Sequence, residues 1–225
     1  MKTFTRFFFS SLVLTILLHA IGFTQNITLT TSPVAASNIA QGSTFNIVYI
    51  VKMDVAGLPV TVNSMQFTLT GTHDNNDLTT VTTWFNPAAP SLSGASGLEN
   101  LSGLFAAPHT YSSFFNTNIA AGTSGYFIIT VSTAAAATNG NTVKLNGLVN
   151  PVSFGYTTVP VITNNQTDVA GTQTIIAPVV TLTSSTVAAS NLQRATANNI
   201  VYVVKMDVAM AQVTLNTIQF TLTGT

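Results

Sequence analysis

Two segments of this chain, 153 residues apart, carry nearly the same sequence. Asn46 begins NIVYIVKMDV, and Asn199 begins NIVYVVKMDV. Alignment of residues 27–72 with residues 180–225 needs no gap, and about 29 of 46 positions are identical. Self-similarity of this strength indicates a repeat architecture, which limits the possible folds more than any other feature of the sequence.

The spacing of the copies indicates that each one is a whole domain, because solenoid repeats recur every roughly 20 to 50 residues. We expect a signal peptide at 1–25, a first β-sandwich repeat at 26–178 and a second copy at 179–225. The second copy stops at the residue equivalent to Thr72, so we expect it to be truncated and the gene to continue beyond Thr225. The short junction APVV predicts that neighbouring repeats touch each other.

The N-terminus has the features of a secretory signal peptide. Lys2 and Arg6 give a positive start, residues 7–18 are mostly apolar, and small or polar residues at 20–25 offer cleavage positions. The mature chain is expected to begin near Asn26. The alternative is a membrane anchor, but the apolar run is shorter than the roughly 20 residues that a membrane span needs. We therefore expect a secreted or extracellular cell-surface protein with no membrane span in the mature chain.

Composition narrows the possible partners and chemistry. Charged residues make up 5% of the chain, against about 25% in an average soluble domain, so Thr, Asn and Ser must supply most of the hydrated surface. After the leader, four basic residues stand against six acidic ones, and nucleic acid is not an expected partner. The absence of cysteine excludes disulfides, thiolate metal ligands and a cysteine nucleophile.

Alternating apolar residues predict that the repeated segment is a β-strand. Every second side chain from Phe45 to Val55 is apolar, and the middle of the segment is apolar on both phases. That pattern is typical of a central strand whose second face is partly covered. In the next strand the apolar phase changes near Asn63 and Ser64, which predicts a β-bulge, and the second copy repeats the change.

The remaining pattern predicts an all-β fold. Further strands, separated by Gly, Pro, Asn and Ser clusters, are predicted at residues 78–85, 111–115, 125–131, 142–148 and 172–176. An alanine-rich segment at 132–141 could form one helical turn or a connection between strands. We predict an antiparallel Ig-like β-sandwich, with one complete domain and the first strands of a second copy.

Four segments carry a resemblance to a known family, namely ASNIAQGSTFNIVYIVKMDV, VTVNSMQFTLTGT, DLTTVTTWFNP and AAGTSGYFIITVSTAAAATNGNTV. Over residues 27–176, and again from Val180, the chain resembles the N-terminal domain associated with BNR-repeat neuraminidases. That domain is a β-sandwich module, found in tandem in large secreted bacterial proteins. The family name refers to a neighbouring catalytic propeller, and this sequence has no Asp-box of the form Ser-x-Asp-x-Gly-x-x-Trp. The resemblance therefore implies a fold and no sialidase activity.

The loop THDNND at 72–77 concentrates oxygen donors of the kind that calcium prefers. Asp74, Asn76 and Asp77 are the weak calcium candidates. Their spacing is not that of an EF-hand, and Asn and Asp also favour turns because their side chains bond nearby backbone groups. A plain turn is the favoured interpretation, so no cofactor is expected, with calcium as the alternative.

No residue pattern specifies a reaction, and we expect a non-catalytic protein. A hydrolytic triad would need His73 or His109 beside a serine and an acid, but no nucleophile-elbow motif marks a serine. The Lys-x-Asp pair at Lys52 recurs at Lys205 and could indicate a functional pair. A structural role is favoured, because solvated charges are ordinary at strand ends.

Aromatic residues provide the remaining candidate site. Those that could stack on a sugar if they faced solvent are Trp84, Phe85, Tyr111, Phe114, Phe115, Tyr126 and Phe127. Trp84 and Tyr111 are the weak glycan-stacking candidates, although core packing is the better default for aromatic residues in strands.

Together these features predict an exported, non-catalytic β-sandwich repeat of a larger cell-surface or secreted bacterial protein, acting as a spacer, adhesion or support module. The alternative is a carbohydrate-binding accessory module of a sialidase-like or other carbohydrate-active enzyme whose catalytic domain lies downstream. Expected partners are the neighbouring repeats of the same chain, with surface glycans or proteins as further candidates.

Overall fold

The computed structural model describes residues 24–147, 149–168, 171–188, 197–210 and 213–223, and within these ranges it contains strands and no helix. No helix of the described residues is therefore long and apolar enough to cross a membrane. Most of the expected signal peptide lies outside the described residues. The strands are β1 (Gln25–Ser32), β2 (Ser37–Ala40), β3 (Asn46–Gly57), β4 (Val60–Gly71), β5 (Leu78–Asn86), β6 (Ser96–Leu101), β7 (His109–Ile119), β8 (Ser124–Thr133), β9 (Thr142–Leu145), β10 (Val152–Tyr156), β11 (Val161–Asn165), β12 (Gln173–Ile176), β13 (Val179–Ser185) and β14 (Val203–Ala209).

Strands β1 to β12 form two facing sheets, which confirms the predicted all-β sandwich. One sheet has the order β11-β1-β3-β8-β5-β6. In the other sheet, the order is β10-β4-β9-β12-β2. Strand β7 also pairs with β4, on the edge opposite to the one that pairs with β10. Two pairings, β1 with β11 and β12 with β2, are parallel and were not foreseen in the antiparallel prediction. They arise because the first two strands lie in different sheets and each runs beside a C-terminal strand.

The core lies between the sheets, and β3 contributes much of it. Tyr49, Val51, Met53 and Val55 are each 2% exposed or less, as the alternating pattern predicted. Aliphatic and aromatic residues of β4, β7 and β8 pack in the same buried cluster. Burying such side chains contributes about 1.5–3 kcal/mol each, so this face supplies the stability that a chain without disulfides needs.

A bulge in β3 explains why both phases of its middle are apolar. The register between β3 and β8 shifts between Ile47 and Tyr49, so Val48 and Tyr49 both lie in the core cluster. The placement of Phe45 on the core phase was wrong. Phe45 precedes the shift, has φ 55° and is 43% exposed. The predicted cover on the second face is confirmed, because Ile50 is 5% exposed.

The predicted bulge near Asn63 and Ser64 is also confirmed. The pairing of β4 with β7 shifts between Val62 and Ser64, and the pairing with β10 shifts between Gly155 and Tyr156. The bulge lets Val60 and Val62 point into the core together with residues of the opposite sequence phase further along β4.

Most predicted strands are present, with boundaries that differ by up to four residues. The strand predicted to begin at residue 111 starts at His109, and β9 ends at Leu145, short of the predicted end at Leu148, which lies outside the described residues. The alanine-rich segment connects β8 to β9 without a helix. Strands β1, β2, β6, β10 and β11 were missed, and all of them except β1 are six residues or shorter.

The second copy repeats one strand pairing of the first, and residues 213–223, which are equivalent to part of β4, form no strand, so the strand and bulge predicted there are absent. Strand β13 pairs with β14 in the register of β1 with β3, so Val180 faces Val208 just as Ile27 faces Val55. Positive φ recurs at the equivalent positions, with Phe45 matched by Asn198 and Gly57 matched by Met210. The apolar residues of β13 and β14 are exposed, whereas their equivalents in β1 and β3 form the core.

Tyr49 joins the core to the outer strands, which allows a test of the packing. Its hydroxyl donates to the carbonyl of Thr167 (2.8 Å) and lies 2.7 Å from Thr31 Oγ1. We expect Tyr49→Phe to lower the free energy of unfolding by about 1–2 kcal/mol, because the hydroxyl of a fully buried tyrosine loses its contacts with Thr167 and Thr31. Urea unfolding would measure this, with the half-buried Tyr126→Phe as a control that should change stability by less than about 0.5 kcal/mol. Equal effects of both substitutions would contradict the assigned role of Tyr49.

Candidate functional site

A groove of about 510 Å³ opens at the β4–β7 bulge. Its lining consists of Asn63, Ser64, Phe114, Phe115 and Asn116. These residues are the bulge itself, since Ser64 pairs with Phe114 and Val62 pairs with Thr117 on either side of the register shift. The groove is largely open to solvent, so it suits a ligand that lies along the surface of the sheet.

Phe114 projects to solvent because its neighbour Ser113 is held inside. Ser113 is fully buried, and its Oγ lies 2.8 Å from the hydroxyl of Thr83 in the facing sheet. The backbone N–H of Phe114 donates to Glu99 Oε2 at 2.6 Å. These two contacts tie β7 to the first sheet, and they leave the Phe114 ring 70% exposed.

The outer face of the second sheet continues from this groove as a row of uncharged polar side chains. Gln66 Nε2 donates to Ser112 Oγ at 3.1 Å, and the hydroxyls of Thr68 and Thr110 lie 2.8 Å apart. The cross-strand pairs are Ser64 with Phe114, Gln66 with Ser112 and Thr68 with Thr110, which alternate along the strands and so share one face.

Trp84 lies on the outer face of the other sheet. Its indole Nε1–H donates to Thr130 Oγ1 at 2.9 Å, and the ring of Phe45 meets it edge-on with a centroid distance of 5.0 Å. Gly97 of β6 lies beneath the indole, where a Cβ would come within 3.6 Å of the ring. Trp84 is half-buried, and its role as a glycan-stacking residue stays a prediction.

Tyr111, the other predicted glycan-stacking residue, is in the core. Its side chain is 5% exposed, and its ring stacks on Phe67 with a centroid distance of 5.6 Å. Burial raises the pKa of the Tyr111 phenol to about 12. Phe67 therefore covers one face of the Tyr111 ring. The structure does not bring Tyr111 together with Trp84.

The loop with the calcium candidates is held together by its own oxygen atoms. Asp77 is fully buried, and its carboxylate accepts N–H groups from Asp74 (2.8 Å), Asn141 (2.7 Å) and Thr138. Burial raises the pKa of Asp77, but these hydrogen bonds outweigh burial and hold the pKa below its usual value.

Two further side-chain oxygens of the loop are engaged in the same way. Asp74 Oδ1 accepts the backbone N–H of Asn76 at 2.7 Å, and Asn75 Oδ1 accepts those of Phe105 and Ala106. Among the described residues, no cluster of three or more His, Cys, Asp or Glu side chains could hold a metal. The oxygen atoms organise the loop, and calcium binding by Asp74, Asn76 and Asp77 stays a prediction.

His73 is buried at 2% exposure beside this loop. Its Nδ1 lies 3.1 Å from the carbonyl of Thr142, and its Nε2 has no hydrogen-bond partner in the part of the chain that the structure describes. Burial lowers the pKa of His73, and this outweighs the opposing effects of Thr142 and of the charge on Asp77. His109 lies elsewhere, with its ring 4.6 Å from that of Tyr111.

The repeated Lys-x-Asp pair forms an ion pair in both copies. Lys52 Nζ lies 2.6 Å from Asp54, and Lys205 Nζ lies 2.9 Å from Asp207. The Ser124 hydroxyl also donates to Asp54. Burial raises the pKa of Asp54, but the hydrogen bonds from Lys52 and Ser124 outweigh it and lower the pKa. Such exposed pairs contribute little stability, so their repetition is a feature of strand geometry.

Sequence reasoning did not single out the groove. Phe114 was one of seven aromatic candidates, and Asn63 was seen only as a bulge position. The SSFFN segment of β7 contained a usable signal. When two aromatic residues are adjacent in a strand, one of them must face outward.

Comparison with known proteins gives a limited result. No protein-family model matches the sequence, and no curated protein matches it. Among solved structures, the chain is similar to a chain of the complex between a CaDoc0917 variant and CaCohA2 at pH 5.5, with 14% identity, a TM-score of 0.33 and coverage of 66% of this chain and 99% of that chain. It is also similar to the seventh ScaB type I cohesin from Pseudobacteroides cellulosolvens, with 14% identity, a TM-score of 0.28 and coverage of 76% and 99%. Likenesses this weak carry no inference about ligands or partners, and the resemblance to the BNR-associated domain stays a prediction.

The role of Asp77 can be tested by a matched pair of substitutions. We expect Asp77→Asn to lower the free energy of unfolding by about 2 kcal/mol, since an amide cannot accept all three N–H groups. Asp74→Asn should cost less than about 0.5 kcal/mol, because Asp74 is exposed and asparagine can accept the same N–H of Asn76. Denaturant unfolding at pH 7 would measure both, and similar costs would contradict the loop-organising role.

His73 should make stability depend on pH. Its pKa in the folded chain is lower than the value near 6.5 of an unfolded histidine, so below about pH 6.5 the unfolded chain binds more protons. Stability is therefore complete above that pH and falls as the pH drops towards 5. The melting temperature at pH 7.5 and pH 5.0 would show the loss, and His73→Gln should reduce it. An unchanged pH dependence in His73→Gln would contradict this account.

Proposed function

We propose that this chain is a non-catalytic repeat module of an exported cell-surface or secreted protein, in which β-sandwich copies serve as spacer, adhesion or support units. One observation carries the proposal. The second copy pairs β13 with β14 in the register of β1 with β3, and repeats the ion pair and the positive-φ positions. The same sequence thus forms the same first strand pairing in both copies, which supports a repeated structural unit.

The polar residues that could take part in chemistry are held in structural contacts, which supports a structural module. The Asp77 carboxylate accepts backbone and amide N–H groups, Asp54 binds Lys52 and Ser124, and His73 is buried against a backbone carbonyl. Each of these side chains has at least one contact with another part of the fold.

Export is supported by the leader and by the start of the folded region. Gln25 is the first residue of β1, it pairs with Gly57, and its side chain donates to the carbonyl of Pro59 at 2.6 Å. The expected cut after Gln25 would remove only the first residue of β1, and the pairing of residues 26–32 with β3 would remain.

A second candidate is a carbohydrate-binding accessory module beside a carbohydrate-active enzyme, in keeping with the resemblance to the BNR-associated domain. The groove at the β4–β7 bulge, with its exposed aromatic ring and uncharged polar lining, favours this candidate.

Export can be tested with the full chain produced in a Gram-negative bacterium. We expect the protein outside the cytoplasm, with an N-terminus between Ile21 and Asn26 by N-terminal sequencing. Replacing both leader charges, Lys2→Glu with Arg6→Glu, should leave most of the chain uncleaved, whereas Lys52→Glu should not affect cleavage. An uncleaved chain in the membrane fraction would favour the membrane-anchor alternative and contradict the proposal.

A further inference from the structure

Phe114 differs from the other six aromatic candidates in its exposure. Tyr111 and Phe127 are buried, the rest are half-buried, and Phe114 is 70% exposed. Its position in the strand is set by the buried Ser113–Thr83 contact and by the Glu99 carboxylate on its own N–H. The backbone position of this aromatic residue is therefore preorganised for binding, since a strand held by these contacts need not be ordered when a ligand stacks on the ring.

We propose that the β4–β7 groove binds a neutral glycan, with a hexose ring stacked on Phe114. The C–H face of a pyranose is apolar and packs on an aromatic ring, while its hydroxyls need donors and acceptors at the rim. Asn63 and Asn116 each offer an amide, and the Ser64 hydroxyl, which donates to Asn63 Oδ1 at 3.3 Å, can still accept a hydrogen bond. The site therefore presents one apolar surface and a few polar groups, as small-molecule sites do.

The charge of the groove selects a neutral ligand. Its lining contains no charged side chain, and the carboxylate of neighbouring Glu99 already accepts the N–H of Phe114. An anionic sugar would find no cation in this lining to pair with its carboxylate. Amides and hydroxyls satisfy the hydroxyl groups of a neutral sugar without any desolvated charge.

The surface beside the groove suits an extended chain of sugars. The Gln66–Ser112 and Thr68–Thr110 pairs continue the row that Phe114 and Ser64 begin. From Phe114 to Thr110 the row extends about 14 Å, at roughly 3.4 Å per residue. A protein partner is disfavoured, because protein hot spots sit in well-packed apolar pockets, and here a single phenylalanine stands on a polar sheet.

The second copy keeps the polar chemistry of the bulge. Asn63 and Ser64 correspond to Asn216 and Thr217, so the amide and the hydroxyl are retained. The neighbouring core position changes from Met65 to Ile218, which alters only an apolar side chain. An amide and a hydroxyl are therefore retained at the equivalent sequence positions of the second copy.

The inference deepens the carbohydrate-binding candidate and rests on it, but it is independent of export and repetition. The full chain would be titrated with cellohexaose, laminarihexaose and mannohexaose as neutral probes and with an alginate hexamer as the anionic comparison. We expect binding of at least one neutral probe, with amide chemical-shift changes confined to Asn63, Ser64 and residues 112–116. Phe114→Ala should weaken that binding by at least about tenfold, and Phe114→Tyr should stay within about threefold of the natural chain.

Further variants locate the site. Asn116→Ala should weaken binding several-fold, and Trp84→Ala on the opposite sheet should leave it unchanged. Phe114 is exposed, so its alanine variant should keep the melting temperature of the natural chain. The inference is overturned if no neutral probe binds, if alginate alone binds, or if binding survives Phe114→Ala and is lost in Trp84→Ala. None of these results would bear on leader cleavage, so the export proposal stands or falls separately.

Discussion

Burial of one face of β3 against the opposite sheet is the interaction on which the rest of the structure depends. The side chains of Tyr49, Val51, Met53 and Val55 lie in the core, and the backbone of the same strand pairs with both β1 and β8. Neighbouring strands acquire their register from β3. The bulge at Val48 adjusts its twist so that apolar residues on both sequence phases become buried.

In the second copy, two strands pair as in the first, but their apolar side chains are not buried. Strands β13 and β14 have the sequence and register of β1 and β3, yet Val204, Met206 and Val208 are 50%, 37% and 41% exposed. Strand sequence is therefore sufficient to determine the partner and register. Stability requires the opposite sheet as well, because a lone hairpin of two strands is marginal in water.

The sequence was informative where the apolar pattern was regular. Alternation predicted β3, and the change of phase located the bulge at Asn63, because the core must receive apolar side chains on both sides of it. The parallel strands β2 and β11 could not be found, since a short edge strand has few buried positions, and β11 has none. The same limit applies to the candidate site. Two adjacent phenylalanines in β7 imply that one faces outward, but only the contact of Ser113 with Thr83 decides that it is Phe114.

Function on this scaffold follows from which polar groups the fold leaves available. Asp77, Asp54 and His73 are engaged in holding loops and strands, and the outward-facing groups at the β4–β7 bulge are not needed for the core. A sandwich of this kind combines rigid sheets with a local irregularity, and the irregularity creates the concave surface. The two proposed roles, repeated spacer and glycan contact, are thus compatible in one module.

Native-state amide hydrogen exchange of the full chain tests the central claim most directly, because the two copies provide matched strands in one molecule. If burial against the opposite sheet stabilises the repeat, amides of β1 and β3 will exchange at least about a thousandfold more slowly than the equivalent amides of β13 and β14. Equal protection of both pairs would contradict the account, because strand pairing alone would then be sufficient for stability.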